Sequence, residues 1–362
     1  MSQAQDSVLS EPRGLRTPFL HIRQAVTPYG LSLLIATLYL LCAQVLAAIR
    51  GEAVSVSVIG YIHQLGLILP IILIIWAIAQ FCMMLAIERP ASPLSSFSGK
   101  LGALLFDGRR WANAIPFLTV IMLMSTAYSY FKSAIPYLQP FAWDPYFDRL
   151  DMWLHGGVRP WEWLQPVLGW PLVSSAVNFA YNLWFFIMIG AWLWLAFTLN
   201  KKAARREFLL AFLLTWMIGG SVLATVFSSA GPCYYAHLVP GADPYAGLMN
   251  YLRGVDGNWF PIWALNTQDM LWQGYIDPAG NLSGISAMPS MHLATATLLV
   301  PLAFRMDRRI GWAAVVFWLL ILLGSVHLGW HYAVDSYAGT ALAAGFWWLA
   351  CRLSGNRDAG TA

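Results

Sequence analysis

Two histidines and one aspartate stand out in a chain that is otherwise strongly apolar. His331 and Asp335 are four residues apart, and His292 ends the stretch Pro289-Ser290-Met291-His292. Ionisable side chains are costly in a membrane-embedded chain, so these three are candidates for function. A neutral imidazole is a good nucleophile near pH 7, and a carboxylate bonded to it fixes its tautomer. A second imidazole can protonate a leaving oxygen, so the trio suits phosphoryl transfer through a histidine.

The residues before His292 indicate how a phosphate could be held. Pro289 suits the start of a helix, where the first backbone N–H groups lack partners within the helix. Such N–H groups bind anions, and we expect them, together with Ser290, to hold phosphate oxygens.

Composition predicts an all-α polytopic membrane protein. The chain has 362 residues, of which 59% are hydrophobic and only 10% charged. We predict about eight membrane helices, because about 20 apolar residues cross about 30 Å of hydrocarbon. They lie near 27–49, 65–87, 112–131, 173–199, 208–229, 288–304, 311–328 and 335–351. The predicted organisation is a tail (1–26), accessory helices (27–110), a catalytic membrane domain (111–353) and a second tail (354–362).

The distribution of basic residues predicts the orientation in the membrane. Of the 21 lysines and arginines, only five fall on one side of the predicted helices: Arg50, Lys132, Arg149, Arg159 and Arg253. Because cytoplasmic loops are enriched in Lys and Arg, both termini are predicted to be cytoplasmic. The long connections 132–172 and 230–287 then face outward, and the second is predicted to be a lid that excludes water. The protein is expected in a bacterial inner membrane, with its site on the extracytoplasmic side.

The sixth and seventh predicted helices form a hairpin that turns at residues 305–309. The start of one helix and the end of the other therefore return to the same membrane face. This brings His292 and His331 together from separate helices.

The two histidine motifs resemble those of the type 2 phosphatidic acid phosphatase superfamily. Its second motif is Pro-Ser-Gly-His and its third ends in His-x-x-x-Asp. The resemblance covers roughly residues 110–350 and implies a six-helix catalytic bundle. It implies that His331 is the nucleophile that forms a phosphohistidine, Asp335 its orienting partner and His292 the general acid and base.

Departures from that pattern point to one branch of the superfamily. Gly324-Ser325 stands where those phosphatases carry Ser-Arg, and Met152 stands at the lysine position before Arg159-Pro160. Met291, the His331-to-Asp335 motif and the stretch 140–161 look like the inositolphosphotransferase branch, which includes the inositol phosphorylceramide synthases. That likeness implies metal-free transfer of a headgroup, with phosphoinositol one candidate, from a phospholipid to another lipid.

The arginine and lysine of the superfamily motifs are missing here, so other cations must neutralise the phosphate. Arg253 is the first candidate for a phosphate clamp, with Arg149 and Arg159 behind it, because all three lie in the outward loops.

The segment from Asp144 to Pro160 alternates aromatic and acidic residues near helical spacing. It is typical of an amphipathic helix lying on the outer leaflet. In a functional variant of this interpretation, Asp148, Asp151 or His155 recognises hydroxyls of a polyol headgroup or lipid acceptor. Tyr181 is a candidate for lining the lipid cavity, although polar residues also join helices.

Several alternatives stay open. A metal site could use His327, His331 and Asp335. A transporter could use the same groups as a proton relay, and a catalytically silent scaffold would leave the trio without a role. For an enzyme, the expected partners are a phospholipid or lipid-phosphate substrate and a lipid or water acceptor. No cofactor, no nucleic acid and no particular oligomeric state is implied.

Overall fold

The computed structural model describes residues 27–52, 58–256, 261–277 and 284–358. Throughout these ranges the chain is helix, turn or loop, with no β-strand. The protein is therefore all-α, as its composition predicts. The predicted tail 1–26 lies outside the described residues, as does 359–362 of the predicted tail 354–362.

The described residues form fourteen helices. This count leaves out the short 3₁₀ turns Thr27–Tyr29 and Pro232–Tyr234. It treats Lys202–Val226 as one helix, which contains a π-helical stretch at Thr215–Leu223. In chain order they are α1 Gly30–Ile49, α2 Val58–Ile87, α3 Pro93–Leu105, α4 Gly108–Leu138, α5 Asp144–Leu154, α6 Pro160–Leu168, α7 Pro171–Phe197, α8 Lys202–Val226, α9 Tyr235–Leu238, α10 Ala246–Val255, α11 Trp263–Ile276, α12 Met291–Met306, α13 Arg308–His327 and α14 Ala333–Asp358.

Among the described residues, six helices are long and apolar enough to cross a membrane: Thr27–Ile49, Leu69–Ile87, Gly108–Leu138, Pro171–Phe197, Lys202–Val226 and Arg308–His327. The shorter apolar helix α12 and the long helix α14 occupy the two remaining positions that the sequence predicts. The 16 residues of α12 rise about 24 Å at about 1.5 Å per residue, which is less than a bilayer core. The protein is a polytopic membrane protein.

Polar residues fix where several of these helices begin. Asp107 accepts a hydrogen bond from the backbone N–H of Arg109 at 2.9 Å and starts α4. Asp307 does the same for Arg309 at 2.7 Å and starts α13. Side-chain oxygens at this position satisfy N–H groups that have no partner inside the helix. The hairpin turn therefore lies within the predicted stretch 305–309 but is shorter, since α12 ends at Met306 and α13 begins at Arg308.

Six helices, α4, α7, α8, α12, α13 and α14, form the central bundle. Within it, α12 packs on α13 and α14, α14 packs on α8, and α7 packs on both α4 and α13. The accessory helix α1 packs against the outside of α4, and α2 contacts α4 and α3. The division into accessory helices and a catalytic membrane domain stays a prediction.

A glycine lets α14 pass very close to the start of α12. A Cβ atom at Gly339 would lie 2.4 Å from the carbonyl oxygen of Ser290, a distance no side chain tolerates. The backbone N–H of Ser290 in turn donates to the carbonyl of Asp335 at 2.9 Å. The two segments that carry the histidine motifs are thus in direct backbone contact.

The two connections that are predicted to face outward contain helices of their own. The first holds α5 and α6, and the second holds α9, α10 and α11. The buried face of α5 carries Asp144, Asp148 and Asp151, whereas Trp153 is 76% exposed. The segment forms a helix, as its alternating pattern predicts. Its acidic face is buried, because backbone N–H groups and an arginine of neighbouring segments bind these carboxylates inside the protein.

Candidate active site

His331 lies in a loop of five residues between α13 and α14. Helix α13 ends at His327, and Gly329 follows with φ of +72°, a left-handed conformation that suits glycine at a helix end. The backbone N–H groups of Trp330 and His331 both donate to the carbonyl of Ser325, at 3.0 and 3.1 Å. The loop is therefore anchored to the last turn of α13, and the helix is not continuous between His331 and Asp335.

The imidazole of His331 has a defined tautomer. Its Nδ1 lies 2.9 Å from the carbonyl oxygen of Ala287 and 3.5 Å from Oδ2 of Asp335. A carbonyl oxygen can only accept a hydrogen bond, so Nδ1 carries the proton and Nε2 keeps a lone pair. Asp335 is the more distant neighbour of the ring, and its Oδ2 accepts from the backbone N–H of Tyr332 at 3.0 Å. The sequence predicts Asp335 as the direct orienting partner, whereas the carbonyl of Ala287 is nearer.

The surroundings of His331 keep the ring neutral. Burial lowers the pKa of His331 to about 3, and the positive charge of Lys132 lowers it further. The hydrogen bond to Ala287 acts in the opposite direction and raises the pKa. A neutral ring at pH 7 with an unprotonated Nε2 is the form that a nucleophile requires.

His292 faces His331 from the first turn of α12. The centroids of the two imidazole rings are 6.0 Å apart. The ring of His292 lies between Tyr181, at 4.6 Å, and Trp184, at 4.3 Å, and the indole N–H of Trp184 donates to the carbonyl of His292. The aromatic contacts fix the ring of His292, which meets the ring of His331 edge to face.

Both histidines line a single cavity of about 410 Å³. Much of its wall is aromatic, contributed by Tyr128, Tyr181, Trp184, Trp216 and Trp330. The hydroxyl of Tyr181 is buried and has no hydrogen-bond partner in the described structure. The cavity therefore combines an apolar wall with a few polar groups, as small-molecule sites commonly do.

Lys132 is the only lysine or arginine among the described residues that line this cavity. It lies in the C-terminal part of α4, and its Nζ donates to the carbonyl of Ser286 at 3.1 Å. Gly284 packs against its stem, with an ideal Cβ 3.4 Å from the Cγ of Lys132. Lys132 is one of the five cations on the predicted outward side, and the sequence motifs assign it no role. Its position inside an apolar helix was the signal, because a cation there is costly unless it has a function.

The three arginines that the sequence predicts as phosphate clamps lie outside this cavity, and their role stays a prediction. Arg159 forms a two-pronged ion pair with Asp148, at 2.8 and 3.1 Å. Arg149 is exposed on α5, and Arg253 lines a neighbouring pocket. None of the three is among the residues of the reaction cavity. An arginine already paired with a carboxylate has little charge left for a ligand.

Asp148, Asp151 and His155 are likewise engaged with protein groups. Asp148 also accepts from the hydroxyl of Tyr245 at 2.9 Å. Asp151 accepts from the first two N–H groups of α14, those of residues 333 and 334, at 2.7 and 2.9 Å. His155 contacts the carbonyl of Asp151 through Nδ1 and the hydroxyl of Tyr337 through Nε2. The contacts of Asp151 and His155 hold α14 in place, whereas those of Asp148 do not reach this helix. Recognition of substrate hydroxyls by the three residues stays a prediction.

Asp144 is a positioning residue that sequence reasoning did not single out. Its carboxylate accepts from the N–H groups of Ala230 and Gly231 and from the hydroxyl of Tyr332 at 3.0 Å. Burial raises the pKa of Asp144, and these hydrogen bonds oppose the shift. Gly231 has φ of +103°, and a Cβ there would lie 2.5 Å from the carbonyl oxygen of Trp330. Asp144 thus ties the outward loop to the loop that carries His331.

Ser290 has a structural contact of its own. Its buried hydroxyl accepts from the backbone N–H of Leu293 at 3.4 Å and caps α12. Ser290 is not among the residues that line the cavity, although Met291 and His292 are. The predicted contact of Ser290 with phosphate therefore stays a prediction.

The metal alternative has no support in the described geometry. Nε2 of the fully buried His327 lies 2.9 Å from the hydroxyl of Ser174, and not beside His331. In the part of the chain that the structure describes, no three His, Cys, Asp or Glu side chains are grouped as metal ligands.

Comparison with known families places these residues in context. A family model described as the PAP2 superfamily matches residues 146–349, more than half of the chain. No curated protein and no solved structure matches the chain. The matched range contains His292, His331 and Asp335 but begins after Lys132. The chain belongs to the PAP2 superfamily, and this supports a phosphatase-like membrane enzyme.

Proposed function

We propose that this protein is a lipid phosphotransferase that works through a phosphohistidine at His331. The observation that carries the proposal is the shared cavity, in which His331 and His292 face each other at 6.0 Å beside the buried ammonium of Lys132. A nucleophile, a proton carrier and a cation are the groups that metal-free phosphoryl transfer requires.

In the first step, Nε2 of His331 attacks the phosphorus of the donor lipid. A nitrogen–phosphorus bond forms, the bond from phosphorus to the leaving oxygen breaks, and protonated His292 gives its proton to that oxygen. The negative charge of the bound phosphate favours the protonated form of His292. The carbonyl of Ala287 accepts the Nδ1–H of His331 throughout, and Asp335 at 3.5 Å stabilises the positive charge that develops on the ring.

The second step returns both histidines to their starting states. His292, now neutral, removes the proton of an acceptor hydroxyl, whose oxygen attacks the phosphorus. The nitrogen–phosphorus bond then breaks and the product leaves. Lys132 neutralises the phosphate oxygens in both steps, because its ammonium lines the same cavity as the two rings.

The acceptor decides between transfer and hydrolysis. Attack by water makes the enzyme a phosphatase, and attack by a lipid hydroxyl makes it a transferase. The aromatic wall of the cavity disfavours water and supports a lipid acceptor. The likeness of residues 140–161 to the inositolphosphotransferase branch also supports headgroup transfer, and the distribution of basic residues supports a site on the extracytoplasmic side.

Turnover of labelled lipids tests the proposal. Purified protein with a chelator is given phosphatidic acid or phosphatidylinositol carrying a labelled phosphate, together with a diacylglycerol or ceramide acceptor. We expect label in a new lipid, no loss of rate with chelator, and no turnover by His331→Ala. Label released only as water-soluble phosphate would make the protein a phosphatase, and turnover by His331→Ala would reject the nucleophile.

A further inference from the structure

A second pocket lies beside the reaction cavity on the outward side. It has a volume of about 400 Å³ and lies between α10, α11 and the segment 233–237. We call it the loop pocket and define it by Tyr234, His237, Arg253, Gln268, Asp269 and Trp272. Tyr234 lines both the loop pocket and the reaction cavity, so the two spaces are neighbours.

The loop pocket carries one positive and one negative side chain. Arg253 comes from α10 and Asp269 from α11, and both side chains are on exposed residues. Within the described ranges, neither has an ion-pair partner within 4.0 Å. Two opposite charges that line one pocket without pairing match a ligand that itself carries both signs.

Aromatic rings stand next to these charges. The indole of Trp272 stacks on Tyr234, with centroids 5.4 Å apart, and on the imidazole of His237, at 4.5 Å. The face of an aromatic ring attracts an ammonium group within about 6 Å. The stack therefore offers a second attraction for the positive end of a ligand.

Gln268 provides an unsatisfied acceptor and a link to the catalytic loop. It is only 3% exposed, its Nε2 donates to the carbonyl of Leu328 at 2.9 Å, and its Oε1 has no partner in the described structure. A buried acceptor without a donor is costly, which indicates a missing donor. The N–H of Cys233, also in this pocket, donates to the carbonyl of Gly329 at 2.9 Å.

We propose that the loop pocket binds the zwitterionic headgroup of a membrane phospholipid of the phosphoethanolamine type. Arg253 takes the phosphate, and Asp269 and the Trp272 stack take the ammonium. A neutral polyol would use neither charge fully, and a simple anion would meet repulsion from Asp269. Because Gln268 and Cys233 hold the loop that carries His331, an occupied pocket stabilises that loop from behind. This site is separate from the proposed transfer reaction.

Lipid binding without turnover tests this inference. Full-length His331→Ala protein in detergent is titrated with dihexanoyl phosphatidylethanolamine, dihexanoyl phosphatidylglycerol or myo-inositol, and complexes are measured by native mass spectrometry. We expect the zwitterionic lipid to bind about tenfold more tightly than the anionic lipid, the ratio that 1.4 kcal/mol gives. Arg253→Gln and Asp269→Asn should each weaken its binding by about tenfold.

Two exposed asparagines give matched controls. Asn250 and Asn266 lie three residues before Arg253 and Asp269 on the same helices and do not line the pocket. Asn250→Ala and Asn266→Ala should leave binding unchanged. Equal affinity for the anionic lipid, displacement by myo-inositol, or unchanged binding in either charge variant would overturn the inference. Because the background variant lacks the proposed nucleophile, failure of the transfer reaction would not alter this result.

Discussion

At the scale of single residues, the orientation of His331 depends on the backbone more than on a carboxylate. The carbonyl of Ala287 accepts its Nδ1–H at 2.9 Å, and Asp335 stands 3.5 Å away. Ala287 is itself fixed, since its N–H donates to the carbonyl of Ser229. The carboxylate therefore acts mainly on the charge of the ring and on the backbone of Tyr332.

This geometry makes the loss from changing Asp335 smaller than the loss from changing the nucleophile. We expect Asp335→Asn to lower kcat by about 10- to 100-fold, because the tautomer survives while the stabilising charge is lost. His331→Ala should lower kcat by about 10³-fold or more. Initial rates of lipid turnover measure both variants, and equal losses would show that Asp335 controls the tautomer after all.

Lys132 should matter more than any arginine of the outward loops. We expect Lys132→Gln to lower kcat/KM by about 10²- to 10³-fold, the usual loss when a group that stabilises transition-state charge is removed. Lys132→Arg should restore part of the rate. Arg149→Gln, which changes an exposed cation on the same side, should alter kcat/KM by less than about twofold. If Arg149→Gln lowered kcat/KM more than Lys132→Gln in steady-state assays, the loop arginines would be the groups that bind the phosphate.

Sequence motifs could predict His292, His331 and Asp335, because these residues stand at fixed spacings in one apolar chain. They could not identify Lys132, since no local spacing relates a residue of α4 to the carbonyl of Ser286 or to a loop some 200 residues later. The sequence predicts the loop arginines as phosphate clamps because they lie on the same predicted side of the membrane as the site. The ion pair of Arg159 with Asp148 depends on tertiary packing that no local pattern records.

At the scale of elements, α5 works as a clamp on the catalytic loop. Its aspartates bind the outward loop at 230–231 and the first turn of α14. Apolar runs could predict where the membrane helices lie, because hydrocarbon thickness sets their length, although some helix ends differ from the prediction by about seven residues. The alternating pattern of α5 could not show that its acidic face is buried, because the pattern is the same whether water or backbone N–H groups bind the carboxylates.

The clamp has a pH dependence that can be measured. Burial raises the pKa of Asp151 from 3.8 to about 7, against the hydrogen bonds from Ala333 and Val334. Between about pH 4 and pH 7, Asp151 keeps its proton in the folded protein and loses it in the unfolded chain. The contribution of Asp151 to the free energy of unfolding is therefore fully present below about pH 4 and is lost as the pH rises to about 7.

Asp151→Asn removes this titration. The variant should therefore gain thermal stability relative to the native protein as pH rises from about 4 to about 7, and the difference should be constant above that. Thermal midpoints in detergent across this range provide the measurement. A difference that stays constant across this range would mean that the carboxylate is charged throughout it.

At the scale of the whole molecule, six helices bring the chemical groups to one end of the bundle. Lys132 lies near the end of α4, His292 at the start of α12 and His331 just after α13. The hairpin of α12 and α13 produces this meeting, and the sequence predicts it because a turn of charged residues separates two apolar runs. Depth and cavity shape depend on the packing of all six helices.

The orientation of the bundle can be tested by labelling. In a chain whose four cysteines are replaced, Asn266→Cys should react with a membrane-impermeant maleimide in intact cells. Arg309→Cys, in the first turn of α13, should react only after the membrane is permeabilised, because Lys and Arg concentrate on the cytoplasmic side. The opposite pattern would place the reaction cavity at the cytoplasmic face.

The covalent intermediate provides the most direct measurement of the central claim. The protein is mixed with a labelled lipid phosphate, quenched in alkali, digested, and mapped by mass spectrometry. We expect the phosphoryl group on the imidazole of His331 in the native protein and no modified peptide from His331→Ala. A phosphoryl group on His292, or turnover of the lipid without any modified histidine, would contradict this mechanism.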